Sequence, residues 1–151
     1  MNCFERGGGV PYAFYRRFHA VMSEESDQTV VSRLSDAILP AVPGLVQALG
    51  IDVLDVGCGS GRALHALAYA FPESRFTGYD ASAEAIAVAR KDARALGLSN
   101  VWFEARDVAR LERIEAYDLI TAFDAIHAQA RPDEVRARIF LSLRSDGTFL
   151  M

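Results

Sequence analysis

The sequence predicts an α/β protein built on a doubly wound parallel sheet. From residue 51 onwards, short β-branched or aromatic segments alternate with segments of helical spacing, which is typical of βαβ units. A glycine-rich loop follows the first of the strand-like segments directly. The chain has 151 residues, enough to bury the core of one domain without disulfide or metal crosslinks.

The first 50 residues predict an N-terminal helical segment. Apolar side chains recur at three- and four-residue spacing within residues 11–22 and again within residues 28–39, where Pro40 ends the pattern. We therefore expect two regions, a helical segment over 1–50 and an α/β domain over 51–151. The aromatic side chains of residues 12–18 are expected to pack in a core, with a lid over a ligand as the alternative.

The second region contains five predicted strands, separated by helical spacing or by turns. A helix ends before Pro72, and another runs from Ser82, its N-cap, towards Gly97. Pro132 opens a further helix at its first turn. A turn is expected at residues 145–147. The predicted strands are residues 51–56, 75–79, 101–104, 117–123 and 148–151.

Composition narrows the classes of function. Hydrophobic residues make up 51% and charged residues 24% of the chain, as in soluble globular proteins, and no apolar run is long enough to span a membrane. The net charge is −4 and Lys91 is the one lysine, so we expect no nucleic-acid partner. Cys3 and Cys58 are too few for a zinc site or a disulfide framework, so no metal and a cytoplasmic location are expected.

The loop after the first strand is the candidate ligand site. Its glycines, Gly57, Gly59 and Gly61, let a ligand approach bare backbone at the start of a helix. The dinucleotide fingerprint would place the third glycine one residue later. Asp55 precedes the loop, and its carboxylate would repel a pyrophosphate but attract a ligand that carries an ammonium and a sulfonium. S-adenosylmethionine carries both groups; a tight turn without a ligand is the alternative.

Two more carboxylates follow the next two strands. Asp80 lies 19 residues beyond Gly61, close to the spacing at which an acidic residue accepts from ribose hydroxyls. Asp107 follows the third strand and could accept from an adenine amino group. Helix capping is the alternative for Asp80, and a turn without ligand contact is the alternative for Asp107. Together the three carboxylates match an adenosine ligand with a cationic tail.

Five segments, in order, resemble the motifs of class I S-adenosylmethionine-dependent methyltransferases: VLDVGCGSGRAL, GYDAS, ARDVA, YDLITAFDAIH and LRSDGTFLM. The N-terminal third resembles a bacterial small-molecule branch with a helical and winged-helix N-terminal region. The resemblance covers residues 11–151 and implies the strand order 3-2-1-4-5. Later strands and a substrate-binding insertion of the family are absent, so the resemblance implies a C-terminally truncated domain.

The resemblance also implies a set of site residues. The methionine moiety of the cofactor would lie against the glycine loop, the ribose on Asp80 and the adenine beside Asp107. His127 is the tentative catalytic residue, either as a general base or as a pocket-lining side chain, and Ala128 replaces a polar residue expected there. The implied cofactor-binding residues are Asp55, Gly57, Cys58, Gly59, Gly61, Asp80, Ala81, Asp107, Val108, Phe123 and Asp124.

These observations predict methyl transfer from S-adenosylmethionine to a small-molecule acceptor. A nucleotide-binding oxidoreductase domain of the NAD type and a cofactor-binding fragment without catalysis are the alternatives. The expected partners exclude nucleic acids and membranes. Association into a homodimer is one expected outcome, because the fifth strand would leave an unpaired edge.

Overall fold

The computed structural model describes residues 50–123, 125–126 and 131–151, which include most of the predicted α/β domain, and residues 29, 32–33 and 40 of the N-terminal region. The predictions for the N-terminal helical segment, including the aromatic side chains of residues 12–18, lie outside the described residues. So do the predictions for Asp124, His127 and Ala128.

From residue 50 onwards, the described residues form strands that alternate with helices, as the sequence predicts. Most observed ends lie within two residues of the predicted ones. The elements are β1 (Asp52–Val56), α1 (Arg62–Ala70), β2 (Arg75–Asp80), α2 (Ala83–Ala95), β3 (Val101–Ala105), a 3-10 helix (Val108–Arg110), β4 (Tyr117–Thr121), α3 (Pro132–Ser142) and β5 (Leu143–Leu150).

The five strands form one sheet in the order β3-β2-β1-β4-β5, and every neighbouring pair is parallel. This arrangement confirms the predicted doubly wound fold and its 3-2-1-4-5 order. The direction of the strand order reverses between β1 and β4, and open sheets bind ligands in the crevice at such a point. The loops that follow β1 and β4 are therefore the structural context for a ligand.

The core lies on both faces of the sheet, because successive side chains of a strand point to opposite faces. Val53 of β1 packs in the cluster under α1 and α2. Its neighbours Leu54 and Val56 pack in the cluster under α3. β1 is thus buried on both faces, which explains why its adjacent residues Val53 and Leu54 are both apolar.

The predicted fifth strand is too short. Its pairing with β4 begins at Leu143, shifts in register, and resumes at Thr148 opposite Leu119, so the predicted turn at residues 145–147 lies inside an irregular β5. Arg144 explains the early start, because its guanidinium pairs with Asp52 of β1 and Asp118 of β4. These contacts hold the first residues of β5 against the sheet.

Candidate functional site

The glycine loop wraps around the end of β2. The backbone N–H groups of Gly57 and Cys58 both donate to the carbonyl of Tyr79, at 2.8 and 3.1 Å. Gly61 closes the turn by donating to the carbonyl of Cys58 at 2.9 Å. Gly57, Gly59 and Gly61 all have left-handed backbone angles, with φ of 75°, 53° and 78°. Glycine adopts this conformation without the steric cost that other residues incur, so the loop depends on all three.

The three glycines differ in what surrounds them. A Cβ on Gly57 would overlap the side chain of Ala125, and a Cβ on Gly61 would lie 2.5 Å from the ring of Phe103. At Gly59 no described atom lies within 4 Å of that position. The protein itself therefore packs against Gly57 and Gly61, whereas no described side chain packs against the Cα of Gly59.

Asp80 joins Gly59 to the second helix. Its Oδ2 accepts from the backbone N–H of Gly59 at 2.9 Å, and its Oδ1 accepts from that of Ser82 at 2.8 Å. Ser82 in turn caps α2, accepting from the backbone N–H of Ala85 at 3.2 Å. A carboxylate oxygen can accept more than one hydrogen bond, so both oxygens retain capacity for a ligand hydroxyl. The exposed Ala81 lies between Asp80 and the cap.

Asp55 is a buried carboxyl group, only 5% exposed, at the end of β1. Its Oδ1 accepts from the Thr121 hydroxyl of β4 at 2.7 Å. Burial raises the pKa of Asp55 to about 7; the Thr121 hydrogen bond lowers it, and the charge of Asp80 raises it further. A cation placed beside Asp55 would favour the charged form and draw the pKa down again.

Asp107 has a local structural role. Its Oδ1 accepts from the backbone N–H of Ala109 at 2.9 Å and so caps the 3-10 helix. Its Oδ2 lies 3.9 Å from the Arg110 guanidinium and 4.0 Å from that of Arg131. The adjacent Val108 is buried in the core cluster under α3. The turn role that the sequence left as an alternative is therefore present, and the half-exposed carboxylate also faces solvent.

Cys58 and Phe123 complete the described part of the predicted site. The Cys58 side chain packs against the core cluster under α1 and α2. Burial raises the pKa of its thiol well above the ordinary value, and the charges of Asp55 and Asp80 act in the same direction. A thiol that resists ionisation is a poor nucleophile. Phe123 is half-buried just beyond β4.

Sequence reasoning missed two residues that shape the site. Thr121 holds the Asp55 carboxyl group, and Phe103 packs under Gly61. The available signal for Thr121 was a polar residue at the carboxyl end of β4, directly after the apolar Leu119 and Ile120. The described residues contain no group of three or more side chains suited to holding a metal ion. None of the described helices has the length and apolar character needed to span a membrane.

The parallel 3-2-1-4-5 sheet and the acidic glycine loop define a class of protein, the class I S-adenosylmethionine-dependent methyltransferases. Residues 49–151 match the family model described as "Methyltransferase domain". The chain therefore belongs to this methyltransferase domain family, and S-adenosylmethionine is its cofactor.

Solved structures agree with this assignment. The [4+2]-cyclase SpnF is 29% identical, with a TM-score of 0.71 over 78% of this chain and 43% of its own. PKMT2 from Rickettsia typhi, in complex with AdoHcy, is 25% identical, with a TM-score of 0.60 over 66% of this chain and 20% of its own. The first of these is a [4+2]-cyclase, so the fold alone does not define the reaction.

Two curated relatives bear on the methyl acceptor. The 23S rRNA (uracil(747)-C(5))-methyltransferase RlmC of Serratia proteamaculans is 49% identical over 72 residues, covering 46% of this chain and 18% of the relative. A malonyl-[acyl-carrier protein] O-methyltransferase of Bacillus cereus is 31% identical over 100 residues, covering 66% of this chain and 36% of the relative. The chain spans less than half the length of either relative.

The similarity to RlmC contradicts the expected partners, a small-molecule acceptor and no nucleic acid. That expectation was wrong because it rested on net charge and on the scarcity of lysine. Net charge averages over the whole surface, whereas nucleic acids are bound by local groups of basic residues. The chain has 16 basic residues, and nearly all of them are arginines.

Proposed function

We propose that this chain binds S-adenosylmethionine at the carboxyl ends of β1, β2 and β3, and that the protein transfers its methyl group to a nucleic acid. The contact between Asp80 and Gly59 carries the proposal. It sets a carboxylate with further acceptor capacity beside a glycine whose Cα no described side chain covers. A ribose requires such acceptors, and a close-fitting nucleoside requires the missing Cβ.

The two ends of the cofactor would meet different groups. Asp55 would face the ammonium of the methionine moiety, because a buried carboxyl group with a raised pKa gains most from a cationic neighbour. Asp107 and Val108 would flank the adenine. The walls of the cofactor site would be formed in part by Cys58, Gly61 and Ala81. This part of the proposal rests on their positions, since the first two lie in the glycine loop and Ala81 follows β2.

When bound, S-adenosylmethionine supplies a methyl group on an electrophilic sulfonium. The chain's contribution is to hold the two reactants in line, since positioning supplies much of the rate of such a displacement. Phe123 and Asp124 would border the reactive end. His127 would accept a proton only where the acceptor atom carries one, so its role as general base depends on the acceptor.

The similarity to RlmC over 72 residues supports a nucleic-acid acceptor. A malonyl group on a carrier protein is the second candidate, supported by the 31% identity to the O-methyltransferase of Bacillus cereus. We also propose the division of the chain into a helical segment, residues 1–50, and a cofactor domain, residues 51–151. The family match over residues 49–151 supports that boundary.

Calorimetry with S-adenosylhomocysteine tests the cofactor site, and NAD serves as the control ligand. We expect binding of the first and none of the second; the reverse would refute the proposal. Transfer of a labelled methyl group is then compared between a 23S rRNA transcript and a malonyl carrier protein. Label in RNA supports the nucleic-acid acceptor, and label only in the carrier protein refutes it. Binding without transfer to either acceptor would refute catalysis by this chain.

A further inference from the structure

On the face of the sheet that carries α3, no described helix lies over β2 and β3. A cavity of about 670 Å³ lies on this face, between the two strands and the loop that leads into β4. Thr77 of β2 lies opposite Trp102 of β3, and Tyr79 lies opposite Glu104, so these side chains share the face. In the described part of the chain, no residue of the glycine loop lines this cavity.

Basic groups predominate along the cavity. Four arginines line it against two carboxylates, Asp52 and Glu104, although the chain as a whole has a net charge of −4. Asp52 is already paired with Arg75 at 2.7 Å and with Arg144 at 2.9 Å. Arg90 and Arg113 therefore add positive charge that the lining carboxylates do not balance. Such a surface is complementary to phosphate groups.

Aromatic side chains form much of the remaining wall: Tyr79, Trp102, Phe103 and Tyr117. Trp102 is 54% exposed although it lies on a strand of the sheet. The Arg106 guanidinium lies 5.3 Å from the centre of the neighbouring Tyr79 ring. An exposed indole ring bordered by guanidinium groups offers a flat apolar surface for an unpaired base and cations for the adjoining phosphates.

We propose that this arginine–tryptophan face, formed by Arg75, Arg90, Trp102, Arg113 and Arg144, binds single-stranded RNA. The inference rests on the nucleic-acid acceptor proposed above and adds a second contact surface, distinct from the cofactor loop. Bases of a single strand are free to stack on Trp102, whereas those of a duplex are covered by their neighbours. The arginines provide contacts to the backbone that do not depend on sequence.

Trp102 is the one tryptophan of the chain, so its fluorescence reports on this face directly. We expect saturable quenching when the 151-residue chain is titrated with a single-stranded oligoribonucleotide of about ten nucleotides. The affinity should fall as salt rises, because counterions are released from the strand. A duplex of the same sequence should quench weakly. Equal quenching by the duplex, or by polyglutamate, would overturn the proposal in favour of a general anion site.

Substitutions separate this face from the rest of the surface. Arg113→Ala should weaken oligonucleotide binding about fivefold or more and reduce the salt slope by about 1. Arg94→Ala is the matched control, because Arg94 is an exposed arginine that does not line the cavity. Trp102→Ala, followed by anisotropy of a labelled strand, should also weaken binding. Equal affinities in all variants would overturn the proposal.

Cofactor binding distinguishes a failure of this inference from a failure of the proposed function. S-adenosylhomocysteine affinity should be unchanged in the Arg113 and Trp102 variants, which shows that they are folded. If the protein methylates RNA but RNA does not quench Trp102, RNA binding by the arginine–tryptophan face is refuted and the proposed function is not. If single-stranded RNA quenches Trp102 specifically but is not methylated, the nucleic-acid acceptor is refuted and RNA binding by the face is supported.

Discussion

The two ends of β1 place the same residue type in opposite electrostatic environments. Asp52 at the amino end lies between the guanidinium groups of Arg75 and Arg144. Hydrogen bonding to Arg75 holds its pKa below the ordinary value, with burial opposing and Arg144 adding to the shift. Asp55 at the carboxyl end is buried beside a hydroxyl and a second carboxylate, and its pKa rises to about 7.

This difference teaches which end of the sheet is built for a cationic ligand. At the amino end the protein supplies the cations that its carboxylates need. At the carboxyl end, Asp55 and Asp80 face each other's charge, and the described residues place no guanidinium on either. A cationic ligand would therefore stabilise the carboxyl end and leave the amino end unchanged. Each prediction below alters one of the two ends.

The largest expected effect is at a glycine of the loop. Gly61→Val should lower the free energy of unfolding by about 3 kcal/mol or more, because a side chain there meets Phe103 in a left-handed backbone conformation. Gly59→Val meets no described atom, so it should cost less stability while removing cofactor binding. Chemical denaturation and calorimetry measure the two effects. Equal stability losses in both variants would contradict the proposed division between packed and open glycines.

The second effect is on the ribose contact. Asp80→Ala should weaken S-adenosylhomocysteine binding by about 2 kcal/mol, as expected when charge-assisted hydrogen bonds to a ligand are lost. The backbone N–H groups of Gly59 and Ser82 would also lose their acceptor, so Asp80→Asn is the control that keeps one carbonyl oxygen. Unchanged affinity in a folded Asp80→Ala variant would remove Asp80 from the site.

Sequence patterns were sufficient for the elements but not for their contacts. The strands, the Ser82 cap and the strand order follow from local periodicity and from the resemblance, and the structure bears them out. The early start of β5 depends on Arg144, whose partners are distant in sequence. The difference between Gly59 and its two neighbouring glycines depends on Ala125 and Phe103. Contacts between residues that are distant in sequence decide both the start of β5 and the surroundings of Gly59. Local sequence patterns do not report such contacts.

The third effect is a pH dependence of cofactor binding. Asp55 has a folded pKa near 7, above its ordinary 3.8, so the folded chain holds an extra proton between these values. Its contribution to stability is therefore favourable at low pH and is lost as pH rises towards 7. An ammonium ligand needs the charged form, so affinity should rise about tenfold between pH 6 and pH 8.

Calorimetry in buffers of different ionisation enthalpy should detect a proton released on binding near neutral pH. Asp55→Asn removes the ionisation, so its affinity should be lower and its pH profile flat over the same range. Thr121→Val is a second variant, which removes the hydroxyl that stabilises the Asp55 carboxylate and should shift the rise in affinity to higher pH. A wild-type profile that is flat, with no proton release, would place the ammonium elsewhere.

The smallest expected effect is at the amino end. Arg144→Ala removes ion pairs to Asp52 and Asp118, and should lower the free energy of unfolding only slightly at neutral pH, because partly exposed pairs are screened by water. The lowered pKa of Asp52 gives the sign of the pH dependence: the contribution is present above the ordinary value of 3.8 and is lost as pH falls through the folded pKa. The free energies of unfolding of wild type and variant should therefore converge in acid. The affinity for S-adenosylhomocysteine at neutral pH should be unchanged in Arg144→Ala. Urea denaturation at several pH values measures the first effect and calorimetry the second. The opposite environments of Asp52 and Asp55 indicate that the two ends of β1 are independent. A loss of cofactor affinity in Arg144→Ala would contradict this and mean that the two ends are coupled.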